Sequence, residues 1–223
     1  MNPGASSLEV IVAKRVRKVY WPNVALDDVD LSIEGPGVHV IVGPNGSGKS
    51  TLLSILAGAE RPSSGYARIL GLDPWRDSSK LAPRVRALLD RVSLPVWLPC
   101  IDIARATAKI TRTPWQEVLG VAEALGVDTY WERPYGAYST GMRRKCLLLL
   151  AFTGKPEVIM LDEPFQALDM KSRETIVDMI SEKAEKGTTV LVATHIIPEK
   201  LEKQVKTITK MELGKIVEIK KIE

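Results

Sequence analysis

A lysine and a hydroxyl side by side, behind three glycines, are the strongest chemical signal in this chain. Gly43, Pro44, Asn45, Gly46, Ser47, Gly48, Lys49 and Ser50 fit the spacing G-x-x-x-x-G-K-[ST], and Thr51 opens an apolar run behind them. Glycines at this spacing let backbone N–H groups turn inward around a polyphosphate with no Cβ in the way. Lys49 then reaches the β- and γ-phosphates, and the Ser50 hydroxyl reaches Mg2+. Asp162 and Glu163 end the apolar run Val158 to Leu161, where a carboxylate pair either serves a metal ion and a reacting water or belongs to a turn. Beside a phosphate loop the first reading prevails. His195 follows the β-branched run Thr189 to Ala193, on the ligand-facing edge of an open sheet. His39 sits inside an apolar run and reads as a packing or hydrogen-bonding residue. Tyr20 precedes a polar turn, where an aromatic ring either stacks on a purine base or packs on a sheet.

The elements that must hold these residues follow from periodicity. Val40 to Val42 is a β-branched strand feeding the glycine loop, and Thr51 to Ala57 is the helix behind it, stopped by Gly58. The helix aims the positive end of its dipole at the same place as the loop. Residues 8–33 read as strands broken at Tyr20-Trp-Pro-Asn23. Tyr66 to Leu70 and Val85 to Leu89 read as short strands, the second ending at Asp90. Leu94 to Pro99, with two prolines and Trp97, reads as a surface loop. From 101 to about 126 the pattern is helical, with Thr113 as N-cap, Pro114 in the first turn and Gln116 closing a capping box. Tyr138-Ser-Thr-Gly-Met142 starts an apolar helix whose first turn carries Arg143, Arg144 and Lys145, against the dipole unless an anion docks there. Ala167-Leu-Asp169 leads into another helix, closed by Gly187, and Thr207 to Ile222 makes two strands around Leu213-Gly-Lys215. Strands alternating with helices give an α/β class with a largely parallel sheet, and a helical insert spans about 91–151.

Composition limits the alternatives. At 223 residues, 45% apolar and 26% charged, the chain supports one well-buried core. No stretch approaches the roughly 20 apolar residues that span a bilayer. The opening MNPGASSLEV has no basic region before an apolar core, so no secretory signal is expected. Cys100 and Cys146 lie far apart without metal-ligand spacing, which predicts reduced, structural thiols in the cytoplasm. A net charge of +4 with interspersed lysines and glutamates predicts a solvated surface and no nucleic-acid groove.

In their order these pieces resemble the ATPase subunit of an ABC transporter, of exporter-like type, over essentially the whole chain. Gly43 to Thr51 match Walker A, Tyr138 to Met142 a variant of the signature LSGGQ, and Val158 to Glu163 Walker B with its glutamate. Ala167 to Asp169 are similar to the D-loop, His195 to the switch histidine, and Tyr20 to the adenine-stacking aromatic. The resemblance implies one ABC-type ATPase domain: a P-loop NTPase core (about 1–90 and 152–223), an N-terminal antiparallel β part and the helical insert. It implies ATP bound on one subunit and closed by Ser139, Thr140 and Gly141 of a second, identical or different. It further implies Mg2+ held by Ser50 and Asp162, water polarised by Glu163, and membrane-spanning partners at the inner face of the cell membrane. A γ-phosphate at the signature helix would be the anion that Arg143 to Lys145 await. Two departures stand out. Asp90 falls where the family has a glutamine contacting Mg2+ and water, adding negative charge and predicting slower turnover or altered metal dependence. Thr140 replaces a signature glycine. A soluble ABC ATPase without a transporter and a nucleotide-gated module with little hydrolysis are the competing functions.

Overall fold

The computed structural model describes residues 9–90 and 93–222. The start of the predicted insert at 91 and most of the N-terminal stretch read for a leader lie outside the described residues. In chain order the elements are β1 (Glu9–Tyr20), β2 (Asn23–Glu34), β3 (Gly37–Val42), α1 (Lys49–Leu56), β4 (Ser64–Ile69), α2 (Ser78–Leu81) and β5 (Val85–Leu88). There follow α3 (Cys100–Thr111), α4 (Trp115–Leu125), a 3-10 turn at Tyr135–Ala137, and α5 (Thr140–Phe152). The chain ends with β6 (Val158–Asp162), α6 (Met170–Glu185), β7 (Thr189–Thr194), α7 (Glu199–Glu202), β8 (Val205–Glu212) and β9 (Lys215–Lys221).

Two sheets form. The smaller has the order β2-β1-β4 and is antiparallel throughout. The larger has the order β5-β6-β7-β3-β8-β9, parallel except for the final pair β8–β9. Strands β6 and β7 are buried at every position, which is why their sequences run apolar without alternation. Their alternate residues serve two cores. Ile159, Leu161, Val190 and Val192 face one side, packed with residues of α3 to α6. Val158, Met160, Leu191 and Ala193 face the other, against α1 and the antiparallel sheet. The sheet's central strands are thus clamped on both faces, and their C-terminal ends become a rigid platform for loops.

Two expectations fail here. Cys100 and Cys146 are joined in a disulfide, with S–S 2.08 Å, and are not free thiols. A separation of 46 residues hid the pairing, because the start of α3 packs beside the middle of α5 only after folding. The capping box at Thr113 does not form either: α4 begins at Trp115, with Pro114 as N-cap and no side-chain cap. Thr113 belongs to the preceding helix end, where its N–H donates to the Ala108 carbonyl at 2.9 Å and left-handed Arg112 (φ 53°) closes α3. Its hydroxyl is shared with Thr111 Oγ1 at 2.7 Å. His39 behaves as read, buried on β3 with Nδ1 2.8 Å from Thr207 Oγ1 on β8.

Candidate functional site

The phosphate loop connects β3 to α1 and is shaped by close packing. A Cβ on Gly43 would meet the Met211 carbonyl of β8 at 2.2 Å, so only glycine lets the loop leave the sheet there. Gly48, at φ 101°, caps α1 in a conformation closed to most side chains. Lys49 follows, 5% exposed, with Nζ donating to the carbonyls of Gly43 at 2.7 Å and Pro44 at 3.1 Å. The ammonium thus lies folded back over its own loop.

Three strand ends meet this loop. Asp162, the last residue of β6, is 1% exposed and accepts from Ser50 Oγ at 3.1 Å. Burial pushes its carboxyl above the usual range, while bonds from Ser50 and the Asp90 backbone N–H pull it back. Glu163 comes next in a left-handed conformation (φ 46°), with its N–H tied to the Ala193 carbonyl on β7 at 2.8 Å. Such backbone costs on the order of 1–3 kcal/mol and points to a side chain held for a purpose. Its Oε2 accepts from Thr194 Oγ1 at 3.2 Å and lies 3.0 Å from His195 Nδ1. Its Oε1 is buried without a hydrogen-bond partner, 3.7 Å from Lys49 Nζ. A buried carboxylate oxygen left unbonded costs free energy unless a water or ligand proton meets it.

Asp90, two residues beyond the end of β5, reaches the same place. It does not stand as an uncompensated charge: Arg144 Nη2, from α5, donates to its Oδ1 at 3.0 Å, and Arg144 Nη1 lies 3.4 Å from the Asp162 carbonyl. Arg143 Nη2 donates to the Gly136 carbonyl at 3.0 Å and its guanidinium lies over Tyr135, while Lys145 pairs with Asp169 at 3.7 Å. The three basic residues of the first turn therefore have partners within the chain, without an outside anion.

Tyr20, Asn45, Gly46, Ser47, Gly48, Lys49, Ser50, Thr51, Asp90 and Glu163 together line one cleft of about 470 Å3. His195 stands just behind, on the far side of Glu163. Ser139, Thr140 and Gly141 do not line this cleft; they sit at the N-terminus of α5. There Ser139 Oγ accepts from the Met142 N–H at 3.2 Å, which leaves its own proton for an outside acceptor. The sequence missed Gln166, which lines the cleft from the loop before α6, and Arg144 and Thr194 as partners of the acids. A carboxylate standing at a usual glutamine position is the one signal that calls for a nearby cation.

A strand, a glycine loop and a helix in that order, beside a buried acid pair and a histidine, are the arrangement of a P-loop nucleotide-binding cassette. Residues 26–166 match the family model described as ABC transporter. The chain belongs to this family. It is 30% identical to the daunorubicin/doxorubicin resistance ATP-binding protein DrrA of Streptomyces peucetius, over 82% of this chain and 56% of that protein. It is 32% identical to the hemin import ATP-binding protein HmuV of Rhodococcus jostii, over 76% of this chain and 61% of that protein. The chain therefore spans little more than half the length of these curated relatives. Its fold matches the dimeric post-hydrolysis structure of the ATP-binding cassette MJ0796 bound to ADP and Pi, with TM-score 0.85 and 22% identity over 96% of this chain and 99% of that one. Among the described residues no helix is long and apolar enough to cross a membrane.

Proposed function

We propose that this chain hydrolyses ATP between two ATPase subunits, identical or not, and that the closing and parting of the pair drives transport through separate membrane-spanning subunits. The observation that carries the reading is the cleft itself: it gathers Asn45 to Thr51 of the phosphate loop with Asp90 and Glu163, while Ser139, Thr140 and Gly141 lie outside it. A second subunit's signature would complete it. In this reading Tyr20 stacks on the adenine, the loop N–H groups and Lys49 bind the phosphates, and Ser139 donates to the γ-phosphate of the opposite site. Ser50, Asp162 and Asp90 offer hard oxygen ligands, and among the described residues no cage of three or more His, Cys, Asp or Glu exists. That donor set suits Mg2+, which is usually held by few carboxylates together with phosphates and water and would neutralise charge on the β- and γ-oxygens. Glu163 Oε1 orients the attacking water and takes its proton. The water oxygen bonds to the γ-phosphorus, and the bridging oxygen leaves with ADP. His195 holds the other carboxylate oxygen and has Nε2 to turn to the γ-phosphate, so loss of that phosphate is felt at the end of β7.

The chain then works at the inner face of the cell membrane. The Leu94 to Pro99 loop, with Trp97 72% exposed, offers the apolar knob on which a short helix of the membrane partner docks. We assign export as the direction, supported by the signature variant and by the resistance protein among the relatives, although the hemin import protein points the other way. Phosphate release by the wild type against Glu163→Gln tests the enzyme: equal, slow rates would leave a nucleotide-gated module instead. Co-purification with a membrane protein separates a transporter from a soluble ATPase. Substrate accumulation in inside-out vesicles, against right-side-out ones, decides the direction.

A further inference from the structure

The ring of Tyr20 is fastened to the helix that carries the phosphate loop. Its hydroxyl donates to Glu60 Oε2. The same carboxylate oxygen pairs with Lys18 Nζ at 3.2 Å, the two side chains being only 16% (Lys18) and 24% (Glu60) exposed. Lys18 Nζ also donates to the Arg61 carbonyl at 2.8 Å and stands 5.0 Å from the Tyr20 ring centroid. Glu60 is itself anchored: its N–H donates to the Ser54 carbonyl of α1 at 3.2 Å, and the neighbouring Ala59 N–H does the same at 2.9 Å. Tyr20 ends β1 beside Trp21, which is 92% exposed.

We propose that Glu60 is a positioning residue for the nucleotide base. Building on the reading of Tyr20 as the stacking platform, Glu60 sets the distance and tilt between that platform and the phosphate cradle. It does so because it hangs from the backbone of α1, the element that begins at Lys49. Base and triphosphate then meet surfaces registered to one helix, and the ring's rotamer freedom is lost on folding rather than on binding. Lys18 stands over part of the ring and pairs with the same carboxylate oxygen that accepts from the phenol.

Isothermal titration of the nucleotide-free protein with ATP and with inorganic tripolyphosphate, which has no base, reads this directly. Tyr20→Ala is expected to weaken ATP binding on the order of tenfold and to spare tripolyphosphate. Glu60→Ala is expected to weaken ATP binding about fivefold, again sparing tripolyphosphate, with the loss in steady-state assays falling on KM rather than kcat. The double variant should bind ATP no more weakly than Tyr20→Ala alone, since Glu60 acts through the ring. Glu60→Gln keeps an acceptor for the phenol and should recover most of the affinity, which guards against a folding defect in the alanine variant. If Glu60→Ala weakens tripolyphosphate equally, or its effect adds to that of Tyr20→Ala, the positioning role falls. If Tyr20→Ala itself leaves ATP binding unchanged, the stacking reading falls first and independently.

Discussion

Breaking the Cys100–Cys146 bond should lower stability by about 4 kcal/mol. The perturbation is reduction of the denatured chain, followed by refolding under a reductant, so that both sulfurs remain in place. This matters because both cysteines are fully buried, and truncation to alanine would add a cavity to the effect. The cross-link closes a loop of 46 residues in the unfolded chain. The loop-entropy relation for that length removes roughly 13 cal/mol/K from the denatured ensemble, or about 4 kcal/mol at 25 °C. With a urea m-value of about 3 kcal/mol/M, the midpoint moves down by a little more than about 1 M. The reduced form should also show the steeper transition, because its unfolded state exposes more surface. Urea unfolding followed by tryptophan fluorescence, in paired oxidised and reduced samples, measures both. The helical insert holds three tryptophans, Trp97, Trp115 and Trp131, and the last two are stacked with centroids 5.7 Å apart, so the signal reports on the cross-linked region. Coincident midpoints would refute the reasoning, as would two free thiols titrating in protein denatured without reductant.

Further outcomes follow from the site and the core. Asp90→Ala should cost about 1 kcal/mol in thermal unfolding, because it leaves a guanidinium that is only 10% exposed with the Asp162 carbonyl alone, the lost carboxylate being itself 56% exposed; Asp90→Gln should change the Mg2+ dependence of phosphate release. Unchanged stability in the first would contradict the pairing with Arg144, and an unchanged rate and Mg2+ curve in the second would contradict a part for Asp90 at the metal. Ser139→Ala should lower stability by about 1 kcal/mol through the lost cap and impair hydrolysis, while a lone subunit binds ATP as before. Weakened binding by the monomer would contradict the assignment across a dimer. His39 supplies a pH signature: burial, helped by Lys206, lowers its pKa to about 4, and its Nε2 has no acceptor for a second proton. The unfolded chain then binds the proton more readily, so this contribution is complete above about pH 6.5 and is lost as pH falls toward 4. The full difference is about 3 kcal/mol, and His39→Gln should flatten the acid limb of the stability curve measured by urea titration. An acid limb of the same slope in the variant would exclude His39 as its source.

Much of this site is legible in one dimension because its chemistry is local. The glycine spacing, Lys49 and Ser50 lie within eight residues, and a backbone that wraps phosphate needs those residue types in that order. The buried strands β3, β6 and β7 announce themselves as predominantly apolar runs without alternation, since a parallel sheet covered on both faces has few polar positions to offer. So the class of fold, the phosphate loop and the acid pair were readable before folding. What the sequence did not hold was any relation set by distance across the chain. Arg144 was read as a cost to its own helix dipole, and only the packing of α5 against the end of β5 brings it within 3.0 Å of Asp90. The cysteines looked independent until α3 and α5 were laid side by side, and nothing in the sequence linked Glu60 to Tyr20, 40 residues away, until the end of α1 brought its carboxylate to the phenol. Side-chain type and short spacing are properties of the string; counter-charges, cross-links and tethers depend on which surfaces the hydrophobic cores press together, and those are chosen only when the two sheets and their helices close.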